Sequence, residues 1–415
     1  MSGRLTLAAT GKIDEWLTKS PVYSHFLTRF KRHTKFSVEQ KEHTFDGTID
    51  WGKEVTVQIP NSSGDMIRKM TLRISLWDPT PDYPYSGQST VNDNFYPPSV
   101  CTHMIEYCDL VIGQQTISRI RGEWIYMQQQ LSSTNDDVEQ TQYFLNGMGQ
   151  FLRYSDGYYT YYLDLPFFFD KNPALSIPNF ALTKQRVSVR LKIRPLEQMI
   201  YAGYPTNLDL SARIQNLSLN CEMGFITDQE KAYMMTRPMN YVIQTLHMSE
   251  FKMKQGENKK SVMLNFDGPV REMYVVSQND RDVEWNIPIN FNTIKRLRLE
   301  LNGAVAFDYG TKYLTYVHAL RKRVNCPRVL ETSTVNPNTL SNEPVTLNSE
   351  FAMYSWANDP TSYHYSGAVN FSRIRHKLLT VEITPQNANY DNKTRVYVTT
   401  MNVLTVFGGV AGLKF

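Results

Sequence analysis

An all-β protein made of two antiparallel sandwiches is the fold class the sequence predicts, on three observations. Aromatic residues make up 12% of the 415, with 25 Tyr and 20 Phe beside 20 Pro and 21 Gly, a mix suited to pleated, half-buried surfaces and tight turns. Apolar and polar residues alternate strictly in several stretches, the period of a strand with one wet face. The length exceeds one comfortable core, so two domains of about 200 residues are expected.

Taken in order, residues 1–35 are expected to begin with a short helix and a loosely tied tail. The stretch from Leu17 to Phe36 reads as an edge strand with a solvated basic end. Val55, Val57 and Ile59 alternate with Thr56 and Gln58, and Met70, Leu72, Ile74 and Leu76 alternate with Thr71, Arg73 and Ser75. The turn-forming run Pro60 to Asp65 between them predicts a hairpin. The Pro-rich residues 78–98 read as a surface loop. Within Ile105 to Leu131, Gly113 and Gly122 sit where turns are wanted, and the stretch resembles the strand-turn-strand of the family named below. Residues 135–152, opened by Asn135-Asp136-Asp137, read as the one convincing helix of this half.

Val187, Val189, Leu191 and Ile193 give a further half-buried strand, and Leu217, Leu219, Cys221 and Met223 another. Thr227-Asp228 with acids in the first turn and a stop at Pro238 predicts a short linker helix over 227–240. The second half repeats the same grammar in Val262 to Phe266, Val270 to Val276 and Leu297 to Leu301, closed by the tight-turn pair Asn302-Gly303. Phe351 to Trp356 forms a strand, followed by an irregular loop between Asp359-Pro360 and Ser366-Gly367, then Leu379 to Ile383 and Val396 to Phe407. The halves show no internal sequence repeat.

Net charge is +4, too small and too dispersed for a nucleic-acid binder. The N-terminus lacks the apolar stretch of a secretory signal. The longest apolar run, Val403 to Leu413, is broken by Gly408, Gly409 and Gly412 and falls short of the roughly 20 residues a spanning helix needs. A soluble, cytosolically made protein is expected, with Cys101, Cys108, Cys221 and Cys326 as buried thiols.

Several motifs carry a resemblance. Met353-Tyr354-Ser355-Trp356, Asp359-Pro360, Ser366-Gly367 and Asn370-Phe371-Ser372-Arg373-Ile374 are similar to the most recognisable segment of the major capsid proteins of nucleocytoplasmic large double-stranded DNA viruses, with Trp356 where the family more often has Phe. Phe30-Lys31-Arg32-His33-Thr34 resembles the family's opening segment, and Leu165-Pro166-Phe167-Phe168-Phe169 its first-domain motif. Gly122-Glu123-Trp124, Val270-Arg271-Glu272 and Leu301-Asn302-Gly303 also match, although Asp267-Gly268 replaces an asparagine-histidine pair. These motifs span the chain in the family's order.

The resemblance implies a double jelly roll of two eight-stranded antiparallel sandwiches with a few short helices. Its boundaries are an N-terminal segment 1–30, a first jelly roll 31–226, a linker helix 227–240 and a second jelly roll 241–415. It implies a homotrimer that forms pseudo-hexagonal capsomers of an icosahedral shell. The partners it implies are the chain itself, neighbouring capsomers, and minor capsid, cement and penton proteins. An inner membrane or scaffold on the inner face is a further partner, and direct nucleic-acid contact is not expected. A minor or paralogous capsid protein of the same fold is the alternative, and a glycan-binding or amidase double jelly roll the remote one. Assembly is expected in viral factories of the host cytoplasm.

No catalytic, cofactor or metal constellation emerges. On a strand, Cys101 and His103 would face away from Glu106 and Cys108, so the four could not share one tetrahedral ion. No glycine-rich phosphate loop occurs. Phe167 to Phe169 are expected in core or subunit interface rather than stacked on a ligand. Among the sequons at Asn61, Asn216, Asn370 and Asn392, the resemblance leaves Asn61, on its exposed turn, as the candidate glycosylation site.

Overall fold

A computed structural model of the chain describes residues 2–27, 32–77, 94–97, 99–132, 158–199, 201–202, 214–280, 290–327, 329–333, 344–348, 350–362, 364–385 and 389–415. Two compact units result, Met1–Lys35 and Phe36–Phe415. The first carries helices Ser2–Ala8 and Lys12–Thr18, the second opened by Asp14 Oδ2 accepting from the Gly11 amide at 3.0 Å. Among the described residues, the expected edge strand from Leu17 does not form. Lys12–Thr18 is helical instead, Ser20 and Pro21 stop it, and extended pairing begins only at Phe36.

Within Phe36–Phe415, the first half has eight main strands: Phe36–Thr44, Glu54–Ile59, Met66–Trp77, Ile105–Ile112, Gln115–Ile120, Tyr158–Asp164, Val187–Ile193 and Ile214–Ile226. Numbered one to eight in chain order, they pair 1-8-3-6 in one sheet and 2-7-4-5 in the facing one. The second half has Met239–Met253, Lys259–Met263, Pro269–Asn279, Thr293–Leu301, Ala304–Gly310, Ala352–Ser355, Lys377–Thr384 and Asn392–Phe407. These also pair 1-8-3-6 and 2-7-4-5. Two copies of one topology therefore stand in tandem: a double jelly roll, joined through the helix Asp228–Met235, whose N-cap Thr227 accepts from the Glu230 amide.

Alternation builds each core. Val55, Leu191 and Cys108 sit in one cross-strand row, Val57, Val189 and Leu110 in the next, and Ile59, Val187 and Ile112 in a third. From the facing sheet come Leu219, Leu72 and Leu163, then Leu217, Ile74 and Tyr161. All are buried, each aliphatic contributing about 1.5–3 kcal/mol. The expected hairpin between Glu54–Ile59 and Met66–Trp77 is corrected by this arrangement. The strands lie in opposite sheets, because both apolar faces fill the same core from two sides.

A second correction concerns Ile105 to Leu131. The hairpin at Gly113, φ 66°, is as expected, but residues Gly122–Ser132 form a helix rather than a strand. Gly122 serves close approach instead of a turn: a Cβ there would lie 1.7 Å from the Thr102 carbonyl oxygen. The expected helix over 135–152 and most of loop 78–98 lie outside the described residues. At the chain's end, Gly408-Gly409 turns Asn392–Phe407 back into Val410–Leu413. This hairpin binds the first half, with the Lys184 amide donating to Gly409 O and the Ala411 amide to Gln185 Oε1.

Strand direction places the connections. Pro60–Asp65, the Gly113 turn, residues 165–186 and strand eight's end share one end of the first jelly roll, linked by Asn179 to Pro60 and Gly64 and by Gly113 N to Arg186 O. The equivalent turns of the second half, at Asp267-Gly268, Asn302-Gly303 and residues 356–376, meet in the same way. Strand three of each half ends, at Trp77 and Asn279, and strand seven of each half ends, at Ile193 and Thr384, on the opposite side.

Candidate functional site

The junction between the two jelly rolls centres on the helix after strand five of the first half. Glu123, near its start, receives Arg395 through Nε at 2.8 Å and Nη2 at 2.5 Å, and the Tyr397 hydroxyl at 2.5 Å. Trp124 packs edge-on against Tyr274 at 4.9 Å and beside Tyr397 at 6.1 Å. Burial pulls the Arg395 guanidinium down, yet the Glu123 carboxylate more than offsets this and leaves it raised. Burial, then Glu123, push the Tyr397 phenol well up, so both pairs persist across the ordinary pH range.

A second buried pair lies nearby. Arg323 binds Glu272 through Nε at 3.1 Å and Nη2 at 2.5 Å, and Nη2 also donates to the Tyr274 hydroxyl at 2.9 Å. The neighbouring Arg271 is 1% exposed, and its Nη2 donates to the carbonyls of Asp359 and Ser362. It thereby holds the loop that follows the Met353–Trp356 segment.

That segment is an aromatic stack. Tyr354 lies flat on Phe307 at 4.1 Å and on His318 at 4.9 Å, and meets Trp356 at 5.0 Å; Trp356 in turn meets Phe371 at 5.7 Å. The Ser355 amide donates to His318 Nε2 at 3.0 Å, which requires a neutral imidazole. Burial, then Lys322, lower the His318 pKa. Gly367, φ 129°, leaves room beside the Trp356 carbonyl that a Cβ would crowd at 3.0 Å.

The signature residues beyond it are brought together at one end of the second jelly roll. Asn370 Oδ1 accepts from the Ser372 amide, Ser372 Oγ from the Gly268 amide, and Asn302 Oδ1 from the His376 amide. Asn302 and Gly303 have φ of 51° and 84°, as their tight turn demands. Phe371 is buried, whereas Arg373 is exposed.

The motif Leu165-Pro166-Phe167-Phe168-Phe169 sits in the other half. Leu165, Phe167 and Phe169 are core, and Pro166 and Phe168 are half-buried. Pro166, Phe167 and Phe168 line a cavity of about 600 Å³ between the two halves, with Asp170 and Thr399. Asp170 Oδ1 is buried without a hydrogen bond, 4.0 Å from Lys69, and burial pushes its carboxyl up to about 6 against the Lys69 charge.

Other sequence-level candidates separate. Arg32 and His33 are exposed in the N-terminal unit, and Phe30 lies outside the described residues. Residues Val100–Met104 form a helical turn rather than a strand, and His103 Nε2 is within 2.9 Å of the Gln198 carbonyl. Among the described residues no cluster of three His, Cys, Asp or Glu could hold a metal. None of the four cysteines is in a disulfide; Cys326 is half-buried and the others buried. Asn61 is exposed, but its amide already donates to Leu182 O at 3.0 Å. Asn392 is buried.

Sequence reasoning did not assign roles to Glu123, Arg271, Glu272, Arg323, Arg395 or His318. Glu123 and Arg271-Glu272 lay inside quoted motifs, but their partners are far along the chain and no spacing reveals them.

The comparisons agree with this architecture. Residues 24–227 match the family model described as the major capsid protein N-terminus. The chain is 26% identical to the major capsid protein of Pyramimonas orientalis virus, over 100% of this chain and 99% of that one. It is 24% identical to the major capsid protein of Paramecium bursaria Chlorella virus 1, over the full length of both. The VP54 structure of that virus, as fitted into a reconstruction of the virophage Sputnik, superposes with a TM-score of 0.76, at 18% identity over 94% of this chain and all of that one. Faustovirus major capsid protein superposes with a TM-score of 0.72, at 11% identity over 96% and 94%. With its tandem jelly rolls and the motifs that bind them, the chain is similar along its whole length to the major capsid proteins of large double-stranded DNA viruses and shares their double jelly-roll fold.

Proposed function

We propose that this capsid protein acts as a homotrimer, three chains giving six jelly rolls in a pseudo-hexagonal capsomer that tiles an icosahedral shell. The first jelly roll spans 31–226, the helix region 227–240 links it, and the second spans 241–415, with 1–30 as a separate N-terminal segment. The observation that carries the reading is the identical 1-8-3-6 and 2-7-4-5 strand order in both halves. Two like modules per chain let three chains present six similar outlines, and repeated heterologous contacts close into a ring where the rotation allows. The work is done by packing, not catalysis. Assembly takes place in viral factories of the host cytoplasm. Further partners are neighbouring capsomers, minor capsid, cement and penton proteins, and a membrane or scaffold at the inner face.

Light scattering of purified protein over a dilution series tests this. Three 48.1 kDa chains give about 144 kDa. A trimer that survives dilution supports the capsomer, and a monomer at all concentrations overturns it as a self-sufficient building block. The second reading, a minor or paralogous shell protein, rests on the same fold and is separated by copy number per particle.

A further inference from the structure

The cavity of about 600 Å³ between the two halves carries unmet hydrogen-bonding capacity on its wall. Asp170, Asn172 and Thr399 line it, and Asp170 Oδ1, Asn172 Nδ2 and Thr399 Oγ1 are all buried without a hydrogen bond. Their settings explain why. Asn172 turns its Oδ1 to the Ala174 amide at 3.0 Å to cap the helical turn Pro173–Leu175, which fixes the side chain and leaves Nδ2 over. Thr399 alternates with Val398, a core residue of the second jelly roll, and so faces the cavity. Its neighbour Thr400 finds the Thr245 hydroxyl at 2.8 Å, whereas Thr399 finds no partner. Asp170 Oδ1 stands 4.0 Å from Lys69, whose ammonium is taken by Asp164 at 2.6 Å. Leaving buried donors and acceptors unpaired is costly, and three on one wall are a site wanting an occupant.

The rest of the wall decides which chemistry answers them. Trp124, Phe167, Phe168, Leu246 and Met401 make it largely apolar, and against them water finds no hydrogen bonds. Formal charges offset one another: among the described lining residues Asp164 and Asp170 are acidic, and Lys171 and Arg323 basic. Asp164 is matched by Lys69 at 2.6 Å and Arg323 by Glu272 at 2.5 Å, while Asp170 and Lys171 attract each other. An ion brought in would lose its hydration without a spare countercharge to replace it. An apolar wall with a few placed donors and acceptors, enclosing about 300–1,000 Å³, is the usual make-up of a small-molecule site.

We propose that this cavity binds a neutral amphiphile, with its hydrocarbon or ring body against Trp124, Phe167 and Phe168 and its hydroxyl-bearing head on Asp170, Asn172 and Thr399. Asp170 Oδ1 needs a donor, Asn172 Nδ2 an acceptor, and the Thr399 hydroxyl takes either. A head with several hydroxyls supplies both kinds without bringing a charge. Asp170 and Asn172 belong to the first jelly roll and Thr399 to the second, so the bound molecule bridges the two halves and stabilises the folded chain by mass action. The site is independent of the trimer reading.

Titration calorimetry of the full chain with n-octyl β-D-glucoside, kept below its micelle-forming concentration, tests this. Octanoate and octyltrimethylammonium put the same alkyl chain on an anionic or a cationic head. The expected result is one saturable site per chain for the glucoside, at least about tenfold tighter than for either ion. Thr399→Val removes the unpaired hydroxyl and keeps the shape, so the melting point should hold or rise. Its affinity for the glucoside should fall about fivefold, the ratio that one hydrogen bond commonly carries. Asn172→Ser keeps an acceptor for the Ala174 amide but removes Nδ2, and should weaken binding by a similar factor. Should Thr399→Val fail to fold, Asn172→Ser decides alone. Absence of glucoside binding overturns the proposal. So does equal binding of the three alkyl probes, which would mark the wall as merely apolar, and so does unchanged affinity in the folded variants. The oligomeric state of the parent has no bearing on these outcomes.

Discussion

Glu123 of the first jelly roll and Arg395 of the second form a two-pronged ion pair across the junction, each side chain 13% exposed. Such a pair is weak evidence of net stabilisation, since desolvating two charges offsets much of their attraction, but breaking it on one side strands the other. Glu123→Ala leaves Arg395 and the Tyr397 hydroxyl without their acceptor and is expected to cost about 3–5 kcal/mol. Glu123→Met with Arg395→Met should recover most of that loss. Denaturant titration of the parent, single and double variants checks it; equal losses for single and double would contradict the account.

Two glycines separate crowding from backbone strain. Gly122→Ala drives a methyl into the Thr102 and Ile105 carbonyls, 1.7 and 2.6 Å from the ideal Cβ, and should cost at least about 3 kcal/mol or abolish soluble expression. Gly303→Ala meets open space and pays only for its φ of 84°, about 1–2 kcal/mol. Thermal melts of the two variants should therefore differ clearly.

Asp170 should act against stability at neutral pH. Its folded pKa of about 6 lies above the ordinary 3.8, so the folded chain holds a proton that the unfolded chain releases. Stability from this group is full below the ordinary value and declines as pH rises through about 6. Asp170→Asn should gain on the order of 2 kcal/mol over the parent at pH 8 and little at pH 4. Stability curves at the two pH values decide it, and a gain that is larger in acid would refute the assignment.

His318 has the opposite slope. Its folded pKa is held below 6.5 because burial, then Lys322, oppose the charge. The unfolded chain takes up the proton first, so this group's contribution is present above pH 6.5 and is lost as pH falls below it. His318→Gln, which keeps an acceptor without titrating, should flatten the fall in stability between pH 6.5 and 5. An unchanged slope would show that other groups set it.

Much of this architecture was legible along the chain. Strict alternation from Val187 to Ile193 and from Leu217 to Met223 assigns both strand and buried face, because a strand's period of two depends only on local geometry. Thr227 at the helix start and Asn302-Gly303 at the turn are equally local, as their backbone needs are met by their own side chains or by the lack of one. The capsid motifs also stood in the sequence and carried the family.

Where elements pair was not local. Glu54–Ile59 and Met66–Trp77 look like a hairpin until the cross-sheet topology places them on opposite sides of one core. Residues Gly122–Ser132 look like strand until Trp124 and Glu123 find Tyr274 and Arg395 well over a hundred residues away, and burial against them outweighs the weak local preference. The sequence by itself determined the alternating strands and their buried faces, and it carried the capsid motifs. Only the tertiary structure decided which sheet faces are covered, because covering one face takes residues from the other half of the chain.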